Sequence, residues 1–314
     1  MIKRKTVLVL GAGASKPYGY PMGKELYYQA LAHLAQDQSN HATFLRTNGF
    51  GDDFVPFRDA LRNCGGESID TFLEGRREFV PIGKAVIAYT LCHHEDHGVL
   101  FDEDRAGRRW YKHLFKIMKA DVPRLEEFSG NELAVVTFNY DRSLEHFFIT
   151  SLKHTFGKSD DECADELSKV PIIHVHGRLG WLPWQDNGPG RVYGMPVSAA
   201  GMVEAAESIK IVHEQSDVDT IDEFVEAHKL LAEASIICFL GFGYDKKNVE
   251  RLRLGRLNGD YLLKGTCFGH TEHERGITAN LLKQMLPRLM QHRVTIGQKH
   301  QDILAYLRSN PVLS

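Results

Sequence analysis

The chain has 314 residues, 43% hydrophobic and 25% charged, with a formal net charge of −3, the balance of a soluble globular protein of one large domain or two small ones. The charge gives no global attraction to nucleic acid, so direct nucleic-acid binding is not expected. Five cysteines, at 64, 92, 163, 238 and 267, include no CxxC pair, which argues against a zinc ribbon, and their odd number argues against a disulfide framework.

The opening MIKRKTVLVLGAGAS has the order of a signal peptide, but its apolar run TVLVL is short and ends in a glycine turn. It reads as a first strand, residues 6–10, of a cytoplasmic protein. No apolar stretch of about 18 residues follows, so no membrane span is expected. Roughly 120 residues separate it from the second strand run, LAVVTF (133–138), and helical spacing recurs among them at 23–36, 81–95 and 110–120. A βαβ crossover needs only a few tens of residues, so a helical insertion over about 22–130 is expected. After 133–138 come a helix at 142–152 and a strand at 171–176. A loop-rich excursion over about 177–220 follows, carrying Trp181 and Trp184, and reads as a lid or an interface. Helix 221–234, strand 235–240, helix 246–255, strand 261–268, helix 279–286, strand 293–296 and helix 300–309 complete the alternation. The pattern predicts a single α/β domain over 1–314. Its sheet is doubly wound, mostly parallel and Rossmann-like, with about six strands.

The first strand runs into GAGASKPYGYPMG. Gly11 and Gly13 fit the first two positions of a dinucleotide fingerprint, but Lys16 stands at the third and Pro17 follows. The GxxxxGK[ST] phosphate loop is missing. A tight turn without a ligand remains the plain alternative. The other strand ends are also polar or glycine-rich: TFNYD (137–141), HVHG (174–177) and GFGYD (241–245). Ligands of open α/β sheets bind beyond the carboxyl ends of the strands, so these ends predict one crevice. Asn139 and Asp141 are two apart and share a face if the strand geometry persists; the alternative is that they cap the next helix. His176 stands at the crevice mouth, where an ordinary imidazole titrating near pH 6.5 suits a general base. His174, one step deeper, reads as a hydrogen-bonded core histidine. HHEDH (93–97) reads as a solvated helix end rather than a metal site.

GAGAS with its Pro/Gly punctuation, TFNYD, HVHG and GFGYD, in this order, resemble the sirtuin-like superfamily, and within it the bacterial sirtuin-like proteins of anti-phage defence. SIDTFLEGR (68–76) is also similar to a segment common in that group. The resemblance implies an NAD hydrolase that releases nicotinamide and ADP-ribose without a metal. It implies that Gly11 and Gly13 let the backbone approach the pyrophosphate, with Ala12, Ala14 and Ser15 donating to phosphate. Asn139 would hold the nicotinamide ribose or orient water, Asp141 would meet the carboxamide, and His176 the ribose hydroxyls. Gly241, Gly243 and Asn248 would face the adenosine half. Sirtuin deacylases carry a zinc module of paired cysteines and acidic and arginine residues after the glycine loop. Here the pairs are missing and Met22-Gly23-Lys24 stands instead, which speaks against deacylation. Restraint of the activity is expected from homo-oligomerisation or from a partner ATPase or nuclease of the same defence system. The alternatives are an NAD-dependent deacylase or ADP-ribosyltransferase, and a non-catalytic subunit binding NAD or ADP-ribose.

Overall fold

Short Val-, Ile- and Leu-rich runs form six strands in the computed structural model: β1 (Thr6–Leu10), β2 (Leu133–Thr137), β3 (Ile172–His174), β4 (Ile236–Leu240), β5 (Leu262–Gly265) and β6 (Val294–Ile296). The structure describes residues 1–36, 38–66, 68–102, 109–185, 190–195, 198–211, 217–257, 260–286 and 288–313, with the backbone alone at 288–290. The strands pair in parallel in the order β3-β2-β1-β4-β5-β6. Residues along each strand alternate between two apolar layers. Leu8, Leu10, Val135, Ile236 and Leu240 face one layer. Val7, Val9, Val136, Ile237 and Phe239 face the other. With both faces covered, the strands read as continuous apolar runs.

The chain between β1 and β2 is helical, and helices Gly23–Leu34, Ile69–Gly75, Val80–Cys92 and Trp110–Lys119 supply much of the first layer. Helices Asp222–Glu233 and Glu272–Gln284 pack on the second. This is an α/β, Rossmann-like doubly wound fold. Among the described residues no helix is long and apolar enough to cross a membrane.

Two expectations change. β3 ends at His174, and Val175 and His176 lie in the following turn. There the Gly177 N–H bonds the His174 carbonyl at 3.1 Å, with Gly177 at φ +72°. The excursion after β3 is also more than loop. Ser198 caps a helix over Ala199–Glu207, and the Lys210 N–H then bonds the His176 carbonyl at 2.8 Å, fixing the turn that carries His176.

The strand order sets where a site can form. The chain leaves β1 towards β2 and β3 on one side, and β4, β5 and β6 lie on the other. The order reverses between β1 and β4, and a crevice opens at their carboxyl ends. Leu10 stands opposite Thr137 and Leu240, so β1, β2 and β4 finish at one level.

Candidate functional site

A cavity of about 530 Å³ occupies this crevice. Of the residues singled out from sequence, His176, Asn139, Asp141, Gly11, Ala12, Ser15, Gly243 and Asn248 line it. Gly13, Ala14 and Gly241 do not; they form the layer behind the lining.

That layer explains the glycines differently from the expectation of close approach to a pyrophosphate. A Cβ on Gly11 would stand 2.7 Å from Phe242 Cα and 2.8 Å from the Gly241 carbonyl oxygen. One on Gly13 would stand 2.8 Å from the same oxygen. Gly241, at φ +58°, faces the Gly13–Ala14 peptide so closely that a Cβ would overlap the Ala14 nitrogen. The turns after β1 and β4 pack backbone on backbone, joined by hydrogen bonds from Gly11 N–H to Leu240 O (3.2 Å) and from Gly13 N–H to Gly241 O (2.9 Å). The glycines are therefore required by this packing. The N–H groups of Ala14 and Ser15 are used within the turn, on the carbonyls of Gly11 and Ala12. Among the described residues, the N–H groups of Ala12 and Gly243 have no protein partner.

The turn after β1 is built of two 3-10 segments, Ala12–Ala14 and Lys16–Tyr18, with Pro17 inside the second, and the first α-helix begins only at Gly23. From behind, the Trp110 indole N–H bonds the Ala14 carbonyl at 2.9 Å, and Tyr18 stacks on Tyr111 with ring centres 3.8 Å apart.

Asn139 follows β2 and ties it to this turn. Its amide Nδ2 donates to the Gly11 carbonyl and to Ser15 Oγ, each at 3.0 Å. A carbonyl only accepts, so the amide orientation is fixed. Its Oδ1 is then left as an acceptor with no protein partner among the described residues. Ser15 is buried, and its hydroxyl serves Asn139 and Asp141; it is a tie between strand ends first. Asp141 Oδ1 accepts from the Ser143 N–H (3.2 Å) and hydroxyl at the start of helix Ser143–Phe156. Asp141 thus both anchors that helix and lines the cavity. Asn139 does not cap it. Burial raises the Asp141 carboxyl above its ordinary range, against the bonds from Ser143 and Ser15.

His176 sits among Phe138, Tyr140 and Phe224, with ring centres 5.3–6.4 Å away. Its Nε2 is buried with no hydrogen-bond partner. Burial, with a smaller push from the Arg251 charge, lowers its pKa to about 3. This corrects the expectation of titration near pH 6.5: the ring is neutral throughout the physiological range. It is suited to hydrogen-bond a ligand and is a weak proton acceptor. His174 is the bonded core residue, with Nδ1 2.8 Å from the Asn139 carbonyl oxygen and Nε2 2.7 Å from Glu145 Oε1.

Sequence reasoning missed the wall opposite the glycine turns. Helix Ile69–Gly75, inside SIDTFLEGR, brings Ser68, Asp70, Thr71 and Glu74 to the cavity. Asp70 accepts a hydrogen bond from the Tyr140 hydroxyl, and burial raises its carboxyl, against that bond. Glu74 pairs with Arg251 (3.1 Å) and Lys247 (3.5 Å). These cations lie on the short helix Lys246–Arg251, which Asp245 caps. Arg251 also donates to Asn248 Oδ1 at 2.9 Å, leaving the Asn248 amide NH2 for other partners. The motif was visible in the sequence, but the roles of its carboxylates were not.

HHEDH is exposed at His93, Asp96 and His97, in line with its reading as a solvated face, and departs from it at Glu95. Glu95 is fully buried and bound by Arg142 (2.9 Å) and Arg191 (2.5 Å). Arg142 further donates to the carbonyls of Trp181 and Arg191. This clamp joins the insertion, the end of β2 and the excursion that carries the tryptophans. Among the described residues no cluster of three or more His, Cys, Asp or Glu is arranged to hold a metal ion. No family model matches the chain, and no curated protein is significantly similar to it in sequence.

Proposed function

We propose that this cavity binds NAD and hydrolyses the bond between nicotinamide and ribose. The observation that carries the reading is one convergence. Three groups without a protein partner among the described residues, Nε2 of buried His176, Oδ1 of Asn139 and the N–H of Ala12, belong to residues lining a single cavity at the sheet's switch point. In the reaction the C–N bond breaks and its electron pair leaves with the pyridinium, which departs as neutral nicotinamide. The ribose carbon gains oxocarbenium character, a water oxygen adds to it, and the water's extra proton passes to solvent. The neutral His176 ring holds a ribose hydroxyl, Asn139 Oδ1 accepts from the ribose or the water, and the carboxyls of half-buried Asp70 and buried Asp141 make the surroundings favourable to a cation. The resemblance extends the reading to an anti-phage effector in the cytoplasm, restrained by self-association or by a partner ATPase or nuclease.

The test is nicotinamide release from NAD by purified protein, over a range of protein concentrations and with the products of neighbouring genes. His176→Ala and Asn139→Ala should each lower kcat by about a hundredfold or more. Variants as fast as the parent would overturn the assignment. Thermal stabilisation by NAD with no turnover under any of these conditions would leave a binding subunit instead.

A further inference from the structure

The buried pair His174–Glu145 lies outside the cavity lining, and nothing in the proposed chemistry uses it. His174 is 1% exposed and Glu145 2%. The His174 ring meets an acceptor on each side, the Asn139 backbone oxygen at Nδ1 and a Glu145 carboxylate oxygen at Nε2. The carbonyl only accepts, so Nδ1 carries the proton on that side, and Nε2 makes the second hydrogen bond with Glu145. Burial works against the Glu145 charge, but the charge and hydrogen bond of His174, with help from Arg178, outweigh it and hold the carboxyl below its usual range. The pair is buried, with a hydrogen bond on each ring nitrogen of His174. The other charges that bear on it are Arg178, with Nη1 3.9 Å from Glu145 Oε1, and Asp141, which feels Glu145 as a like charge. Arg142 and Glu223 act in turn on Arg178.

His174 reaches both groups that the reaction needs. Its ring fixes the Asn139 backbone, and Asn139 in turn holds Gly11 and Ser15. Its own carbonyl closes the turn that carries His176. We propose that the His174 ring, held by Glu145, is the positioning residue that sets Asn139 and His176 in register across the cavity. The kinetic part of its test rests on the nicotinamide-releasing reading; the spectroscopic part does not.

The experiment uses the full chain with 15N-labelled asparagine, and the Asn139 side-chain NH2 signal is assigned by its loss in Asn139→Ala. His174→Asn places an amide donor where Nδ1 stood. It should keep the Asn139 side-chain NH2 signal in place and kcat within about threefold, while His174→Leu moves that signal and lowers kcat about a hundredfold with little change in KM. An Asn139 side-chain signal that moves as far in His174→Asn as in His174→Leu overturns the proposal. So does an Asn139 signal that is the same in His174→Leu and the parent, or activity that falls with thermal stability alone across the variants. If the parent releases no nicotinamide, the proposed reaction fails, and the Asn139 signal still decides the positioning role.

Discussion

The cavity has two walls made in different ways. On one side the turns after β1 and β4 meet backbone to backbone, with no room for a Cβ at Gly11, Gly13 or Gly241. On the other, the insertion is held by side chains: Asp70 to Tyr140, Glu74 to Arg251 and Lys247, and Glu95 to Arg142 and Arg191. The first wall is local and stiff, because its geometry follows from adjacent parallel strands ending together. The second is assembled across long sequence separations and depends on charges meeting. A glycine there would announce nothing, and a carboxylate on the first wall would not fit.

Substitutions can break each wall separately. The largest loss is expected for Glu95→Ala, which leaves two buried guanidinium groups without their carboxylate and should cost about 3–5 kcal/mol in denaturant unfolding. A loss below about 1 kcal/mol would mean that the clamp does not hold the insertion. Gly241→Ala adds a side chain at a left-handed position facing Ala14 and should cost about 3 kcal/mol. Its neighbour Gly243, with open space at the Cβ position, should tolerate alanine within about 0.5 kcal/mol. Equal losses at 241 and 243 would contradict the backbone-packing account.

The insertion also carries an acid sensitivity of its own. His41 stacks on Tyr89, both its ring nitrogens are buried without partners, and burial lowers its pKa to about 3. The unfolded ring takes up a proton below about pH 6.5 and the folded ring does not. The stability it confers is therefore complete above that pH and falls as pH drops from about 6.5 towards 3, by up to about 1.4 kcal/mol per unit. His176 acts in the same direction. His41→Phe should flatten part of this slope in urea titrations at pH 4–7, and an unchanged slope would remove His41 from the account. A modest effect is expected for Glu74→Gln, about 1 kcal/mol, since Lys247 is partly exposed and Arg251 keeps Asn248. If NAD affinity also rises in this variant, the insertion wall restrains ligand entry; no change in affinity limits Glu74 to a structural role.

The same contrast explains what the sequence reveals. All six strands stand where the Val- and Ile-rich runs fall, since a fully buried strand needs such a run. The strand ends likewise announce Asn139, Asp141 and His176 at one crevice. Helix Ala199–Glu207, rich in alanine and beginning at a Ser198 cap, was hidden in a stretch dominated by glycine, proline and tryptophan. Glu95 shows the other limit. In sequence it sits between histidines and an aspartate and looks solvated; only Arg142 and Arg191, distant in the chain, make its burial possible. The pKa of His176 is equally illegible, because it is set by burial in an aromatic shell that two segments distant in the chain build around it.

Trp110 gives the protein an optical gauge. Its indole is fully buried and bonded to the Ala14 carbonyl, at the rear of the turn that any occupant of the crevice must touch. With Trp181 and Trp184, the other two tryptophans of the chain, changed to phenylalanine, its emission would come from that single bond's surroundings. A spectral shift on mixing would then time the turn's response in a stopped-flow cell, without a label and before any product forms.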